Sequence, residues 1–74
     1  MQWKREFLPT AWKSGHINSD GTYVTAWVEK RKGTLNLSYR KFGRTNNILG
    51  GANSVPVESL DEAESILFDS GALS

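Results

Sequence analysis

Thr22-Tyr23-Val24-Thr25-Ala26-Trp27-Val28-Glu29-Lys30-Arg31-Lys32-Gly33-Thr34-Leu35-Asn36-Leu37-Ser38-Tyr39-Arg40-Lys41-Phe42 is the stretch on which the fold turns. Two runs rich in β-branched, aromatic and alternating residues flank a basic cluster that ends in glycine, which is the pattern of a long β-hairpin. The hairpin has two candidate registers, and a slip of one residue exchanges its faces. With Glu29 opposite Thr34, around the loop Lys30 to Gly33, Val24, Ala26 and Val28 face Tyr39, Leu37 and Leu35 on one aliphatic side. The other side then displays Tyr23, Thr25, Trp27, Asn36, Ser38 and Arg40. With Lys30 opposite Thr34, Trp27, Leu35, Leu37, Tyr23 and Tyr39 share the core instead. The first register is preferred, because it puts every Val and Leu of the hairpin inside and every Asn, Ser and Arg outside. It predicts a partly exposed Trp27.

Working outward, Asn18-Ser19-Asp20-Gly21 is a turn that joins a short strand around His16 and Ile17 to the hairpin, so 15–42 reads as a β meander. Gly43 to Ser54 (GRTNNILGGANS) is polar and glycine-rich and reads as a flexible loop, 43–54, pinned by Ile48 and Leu49. Val55-Pro56-Val57 is extended, in the manner of a sheet edge. Ser59 followed by Glu62 makes a capping box, Asp61 and Glu62 suit the positive helix start, and Gly71 suits its end. The spacing therefore predicts a helix within 59–70, from Leu60 to about Asp69, with Leu60, Ala63, Ile66 and Leu67 on one stripe. Residues 1–14 alternate from Gln2 to Leu8 until Pro9 intervenes, and Trp3 and Trp12 argue for an ordered arm or an extra strand. The expectation is a single small α+β domain, 1–74, with a three- or four-stranded antiparallel sheet and one C-terminal helix packed on one face.

Charge is sorted along the chain. All nine Lys and Arg lie between Lys4 and Arg44, whereas five of the eight acids lie between Glu58 and Asp69, so a net charge of +1 hides a dipolar molecule. Clustered positive charge suits phosphates or an acidic protein. A domain of this size buries roughly 60% of the surface its unfolded chain exposes, which leaves little room for a deep catalytic cleft. Without cysteine there is no disulfide or thiolate chemistry, which fits a reducing compartment. One histidine, His16, makes a zinc site or a Ser-His-Asp arrangement improbable. Gly50 and Gly51 belong to neither phosphate-loop pattern, and Asn36-Leu37-Ser38 is a sequon placed inside a strand. No apolar run reaches the length of a membrane span or signal peptide, so the chain reads as soluble and cytoplasmic. The expectation is a protein that is not an enzyme and uses no metal, cofactor, membrane or small-molecule substrate, as a monomer or a weak homodimer paired through an exposed edge strand.

If the preferred register holds, Thr25, Trp27, Asn36, Ser38 and Arg40 lie on an exposed sheet flanked by Lys30, Arg31 and Lys32 at the loop and by Lys41 and Arg44. Lys and Arg neutralise phosphates, while Arg40 and Asn36 carry the donor and acceptor sets that read base edges. DNA is the leading partner on this reading.

Asp20-Gly21-Thr22-Tyr23-Val24-Thr25-Ala26-Trp27-Val28, the basic hairpin, the third strand ending Tyr39-Arg40-Lys41-Phe42 and the C-terminal helix together resemble the arm-binding domains of tyrosine integrases and AP2 domains. The resemblance covers residues 15 to 70 and implies a sheet that enters the major groove. The loop 43–54 departs from that pattern in length, and these 74 residues hold no catalytic domain beside the module. Size, lack of cysteine and polarised charge also resemble phage-encoded inhibitors such as anti-CRISPR proteins or blockers of host RNA polymerase. That resemblance implies a host-protein partner met by Glu58, Asp61, Glu62, Glu64 and Asp69, acting as phosphate mimics. Acids in a first helical turn are also ordinary complements of the helix dipole.

Overall fold

The computed structural model describes residues 1–6 and 10–74. Five strands, β1 (Lys4–Glu6), β2 (Ala11–Ile17), β3 (Tyr23–Arg31), β4 (Thr34–Phe42) and β5 (Ile48–Val57), precede one helix, α1 (Leu60–Asp69). The strands form one antiparallel sheet in chain order, each paired with its sequence neighbour. The α+β class and the C-terminal helix agree with the sequence reading, and the sheet has five strands rather than three or four.

The central hairpin turns more tightly than either register considered from sequence. Arg31 pairs with Thr34, leaving Lys32 and Gly33 alone in the loop, both at positive φ (51° and 81°). Two left-handed residues make a turn whose twist matches that of the strands. Lys32 is unfavourable there by about 1–2 kcal/mol, and the extra pairs Lys30–Leu35 and Arg31–Thr34 offset it. Relative to the expected Glu29–Thr34 pairing the strands have slipped by two residues, an even number, so the faces are the expected ones. Val24, Ala26 and Val28 now oppose Lys41, Tyr39 and Leu37.

The stretch expected to be a flexible loop, 43–54, contributes most of β5. Its pairing is irregular: the β4–β5 register shifts between Leu37 and Tyr39 and again between Lys41 and Phe42. At Gly51 an added Cβ would lie 2.3 Å from the Tyr39 carbonyl oxygen, so the bulged strand can approach only with glycine there. Upstream, the sheet begins earlier than Gly15, since Ala11 to Ile17 pairs along the whole of Tyr23 to Glu29 and Lys4–Glu6 adds a fifth strand. Phe7 and Leu8, the last residues of the expected alternation, and Pro9, expected to stop it, lie outside the described residues.

One face of the sheet is covered. Val24, Ala26, Val28, Leu37 and Val57 are buried under Ala63 and Leu67 of α1 and under Ala72 and Leu73, with Met1, Trp3 and Trp12 packed at the margin. Each fully buried Val or Leu contributes about 1.5–3 kcal/mol. The helix starts as the sequence predicts: the Ser59 hydroxyl accepts from the Glu62 N–H at 3.0 Å, and the Glu62 carboxylate reaches back to the Glu58 N–H at 3.3 Å. It ends in a Schellman motif, with Gly71 at φ 82°, the Ala72 N–H on the Leu67 carbonyl and the Gly71 N–H on the Phe68 carbonyl. The tail is then pinned by a buried side chain in the β2–β3 turn: the Asn18 amide donates to the Ala72 carbonyl at 2.8 Å and accepts from the Ser74 N–H at 3.1 Å.

Candidate nucleic-acid interface

The opposite face has no helix on it among the described residues. Because side chains alternate along each strand, pairing register alone decides which of them stand beside one another here. Ile17, Tyr23, Phe42 and Ile48 form one row across four strands. The Tyr23 and Phe42 rings stack at 4.9 Å and 18°, and Ile17 and Ile48 are 77% and 67% exposed. The next row is Gly15, Thr25, Arg40 and Gly51, low except for the arginine. The row after that is Lys4, Lys13, Trp27 and Ser38.

The low row makes a groove that crosses the strands, with a volume of about 600 Å³. Lys4, Lys13, Trp27, Ser38, Arg40 and Asn53 contribute its walls, and no carboxylate lines it. Lys4 and Lys13 stand directly opposite each other on β1 and β2, an arrangement of like charges that is unfavourable by itself. Glu6 relieves half of it through an ion pair with Lys13 at 2.6 Å, whereas no carboxylate among the described residues pairs with Lys4. Arg40 is aimed by hydrogen bonds from one guanidinium nitrogen to the carbonyls of Tyr39 (2.8 Å) and Ala52 (3.4 Å). Trp27 is half-buried, and its indole N–H donates to Glu29 at 3.3 Å. Glu29 also accepts from Arg31, so the arginine first and the indole second hold its carboxyl below the ordinary value of 4.5, and the arginine's own pKa is raised in return.

Four residues expected to bind nucleic acid meet in this groove: Thr25, Trp27, Ser38 and Arg40. The rest are dispersed. Asn36 lies on the same face, two positions along β4 from Ser38, and donates to the Thr34 carbonyl. Arg31 is clamped on Glu29, and Lys32 stands exposed in the turn. Lys30 and Lys41 are on the covered side, where Lys41 donates to the Gly71 carbonyl at 2.8 Å. Arg44 is held against the β2–β3 turn, its Nε on the Asp20 carbonyl at 2.6 Å. Hydrogen bonds from the Thr22 hydroxyl and N–H hold the Asp20 carboxyl below its usual range. Lys4 and Lys13 were not anticipated. The only signal for them was period-two alternation in 1–14, which assigns a face only once the pairing of that segment is known.

Of the acids in and just before α1, Glu58, Asp61, Glu62 and Asp69 are exposed. Glu62 serves the helix cap, and Glu64 pairs with the Met1 ammonium at 2.5 Å. No group of three or more metal-ligating side chains occurs among the described residues, and none of their helices is long and apolar enough to cross a membrane. Comparison with protein-family models, with curated proteins and with solved structures returned no match.

Proposed function

We propose that this chain is a binding protein, without catalytic activity, that takes nucleic acid on the open face of its sheet. The observation that carries the reading is the set Lys4, Lys13 and Arg40 around Trp27, on a groove whose lining holds no acid. Cations give affinity for a phosphate backbone, and an aromatic ring among them gives a base something to stack on. The Lys32 turn lies beyond this groove at the end of the sheet and is a lesser contributor.

A salt series tests it. Fluorescence anisotropy with labelled single-stranded and duplex oligonucleotides should show binding at about 50 mM salt that weakens steeply as salt rises. Arg40→Ala should weaken that binding and flatten the salt slope by about one, whereas Lys41→Ala, on the covered side, should leave the slope unchanged. Absence of binding to both forms at low salt overturns the reading.

A second reading, a phage-type inhibitor or adaptor that meets a basic host protein through α1, has one observation in its favour. Phe68 is 56% exposed and lies one helical turn from Glu64 and two from Asp61, an apolar anchor within an acidic surface. It takes precedence if nucleic acid fails to bind, and Phe68→Ser paired with Asp61→Lys should then abolish capture of the partner.

A further inference from the structure

We infer that the groove is a site for single-stranded nucleic acid, one base stacked on Trp27 and the backbone lying across the strands over Gly15 and Thr25. The inference rests on the reading above and narrows it from nucleic acid to one form of it.

Width argues against duplex. A sheet fits a major groove face-on only if it is narrow, and that groove is about 12 Å wide. Five strands at about 4.8 Å spacing span roughly 19 Å, and the whole molecule measures 36 × 23 × 18 Å. Trp27 and Thr25 lie on β3, the middle strand, with two strands on either side. A duplex wall would meet β1 or β5 before its bases reached the indole. The docking of a narrow three-stranded sheet is therefore closed to this face. An unpaired strand has no such wall, and it can turn its bases toward the protein.

Chemistry argues for a single strand. The groove presents the two things such a ligand needs: a partly exposed aromatic face and cations spaced around it. Lys4 and Lys13 stand on one side of Trp27 and Arg40 on the other, one row away. Glu29 fixes the indole through its N–H and leaves the groove-facing part of the ring available. A phosphate between Lys4 and Lys13 would relieve the repulsion that Glu6 answers for only one of them. Beyond the low row, the stacked rings of Tyr23 and Phe42 offer a second apolar surface on which a neighbouring base can lie.

Gly15 provides a test that leaves every charge in place. An added Cβ there meets nothing closer than the Val24 carbonyl oxygen at 3.9 Å, so a larger side chain fits the strand and projects into the groove. Valine also has a higher strand preference than glycine. The experiment compares an oligonucleotide of about 16 nucleotides and mixed sequence, alone and as its duplex, against the wild-type chain, Gly15→Val and Trp27→Leu. Melting curves establish that the variants are folded. The expected result is single-strand binding at least about tenfold tighter than duplex, with both variants losing about tenfold or more, the scale of one base–aromatic stack. In a chain with Trp3→Phe and Trp12→Phe, the oligonucleotide should quench Trp27 fluorescence, a readout that needs no groove variant. Equal or tighter binding of duplex overturns this inference and leaves the broader reading standing. Single-strand binding that ignores both variants and leaves Trp27 unquenched also overturns it. No binding of either form removes both.

Discussion

Successive residues of β3 point to opposite worlds: Val24, Ala26 and Val28 are buried, whereas Thr25 is exposed and Trp27 half-buried. The inner face, under α1 and the Ala72-Leu73 tail, is made of small aliphatics in close contact, and its side chains are selected by volume. The outer face carries a glycine floor, the cations Lys4, Lys13, Arg31 and Arg40 and aromatic rings, and its polar side chains are organised by hydrogen bonds and ion pairs. The difference teaches that the core and the proposed binding surface occupy alternate residues of one strand set, so a substitution on one side should have little effect on the other.

The sharpest way to break that division is to truncate on one side and then on the other. Leu37→Ala, at a fully buried position, should cost about 3 kcal/mol in urea unfolding, a large share of what a domain this small possesses. Arg40→Ala should change stability by less than about 0.5 kcal/mol while weakening nucleic-acid binding. A comparable stability loss at Arg40 would mean that the outer face also holds the fold together. Next in size is Asn18→Ala, which leaves the buried Ala72 carbonyl without its side-chain donor and should cost about 2 kcal/mol, with no effect on the groove.

The smallest effect concerns Glu29. Its folded pKa is depressed, so what it contributes is complete above its ordinary value of 4.5 and is lost as pH falls through the lowered folded value. In a chain with Trp27 as the only tryptophan, fluorescence should change over that acid range as the indole loses its acceptor. Glu29→Gln should remove the step; a step that persists in the variant would assign it to another carboxylate.

Much of this arrangement was legible because the sheet alternates cleanly where it matters. Val24, Ala26, Val28 and Leu37 identified the inner side, and with it Trp27, Ser38 and Arg40 on the outer, even though the loop was read as two residues too long. The error kept the faces because the slip was even. Ser59, Glu62 and Gly71 located the helix, since capping chemistry is local. What escaped notice depended on distant partners. Gly50 and Gly51 look like a loop until the Tyr39 carbonyl is known to press on the second of them. Lys32 gives no sign of accepting a positive φ. Lys4 and Lys13 meet only through the pairing of β1 with β2, and Asn18 reaches the tail across 54 positions. Chain-order pairing was visible for the meander 15–42; the pairing of β1 and of most of β5, and the contacts that cross the strand order, were not.

That chain-order pairing bears on time as well as shape. Every strand meets its sequence neighbour, so most contacts close short loops, and such topologies fold fast for their β content. The Asn18 clasp, like the Met1–Glu64 ion pair, joins residues far apart in sequence, and it is expected to form late. Its loss should therefore appear mainly in the unfolding rate. Stopped-flow mixing of Asn18→Ala would show the opposite, a slowed refolding limb, if the tail were part of the nucleus. With a late clasp, the tail from Ala72 to Ser74 should dock on the β2–β3 turn only after the sheet has paired.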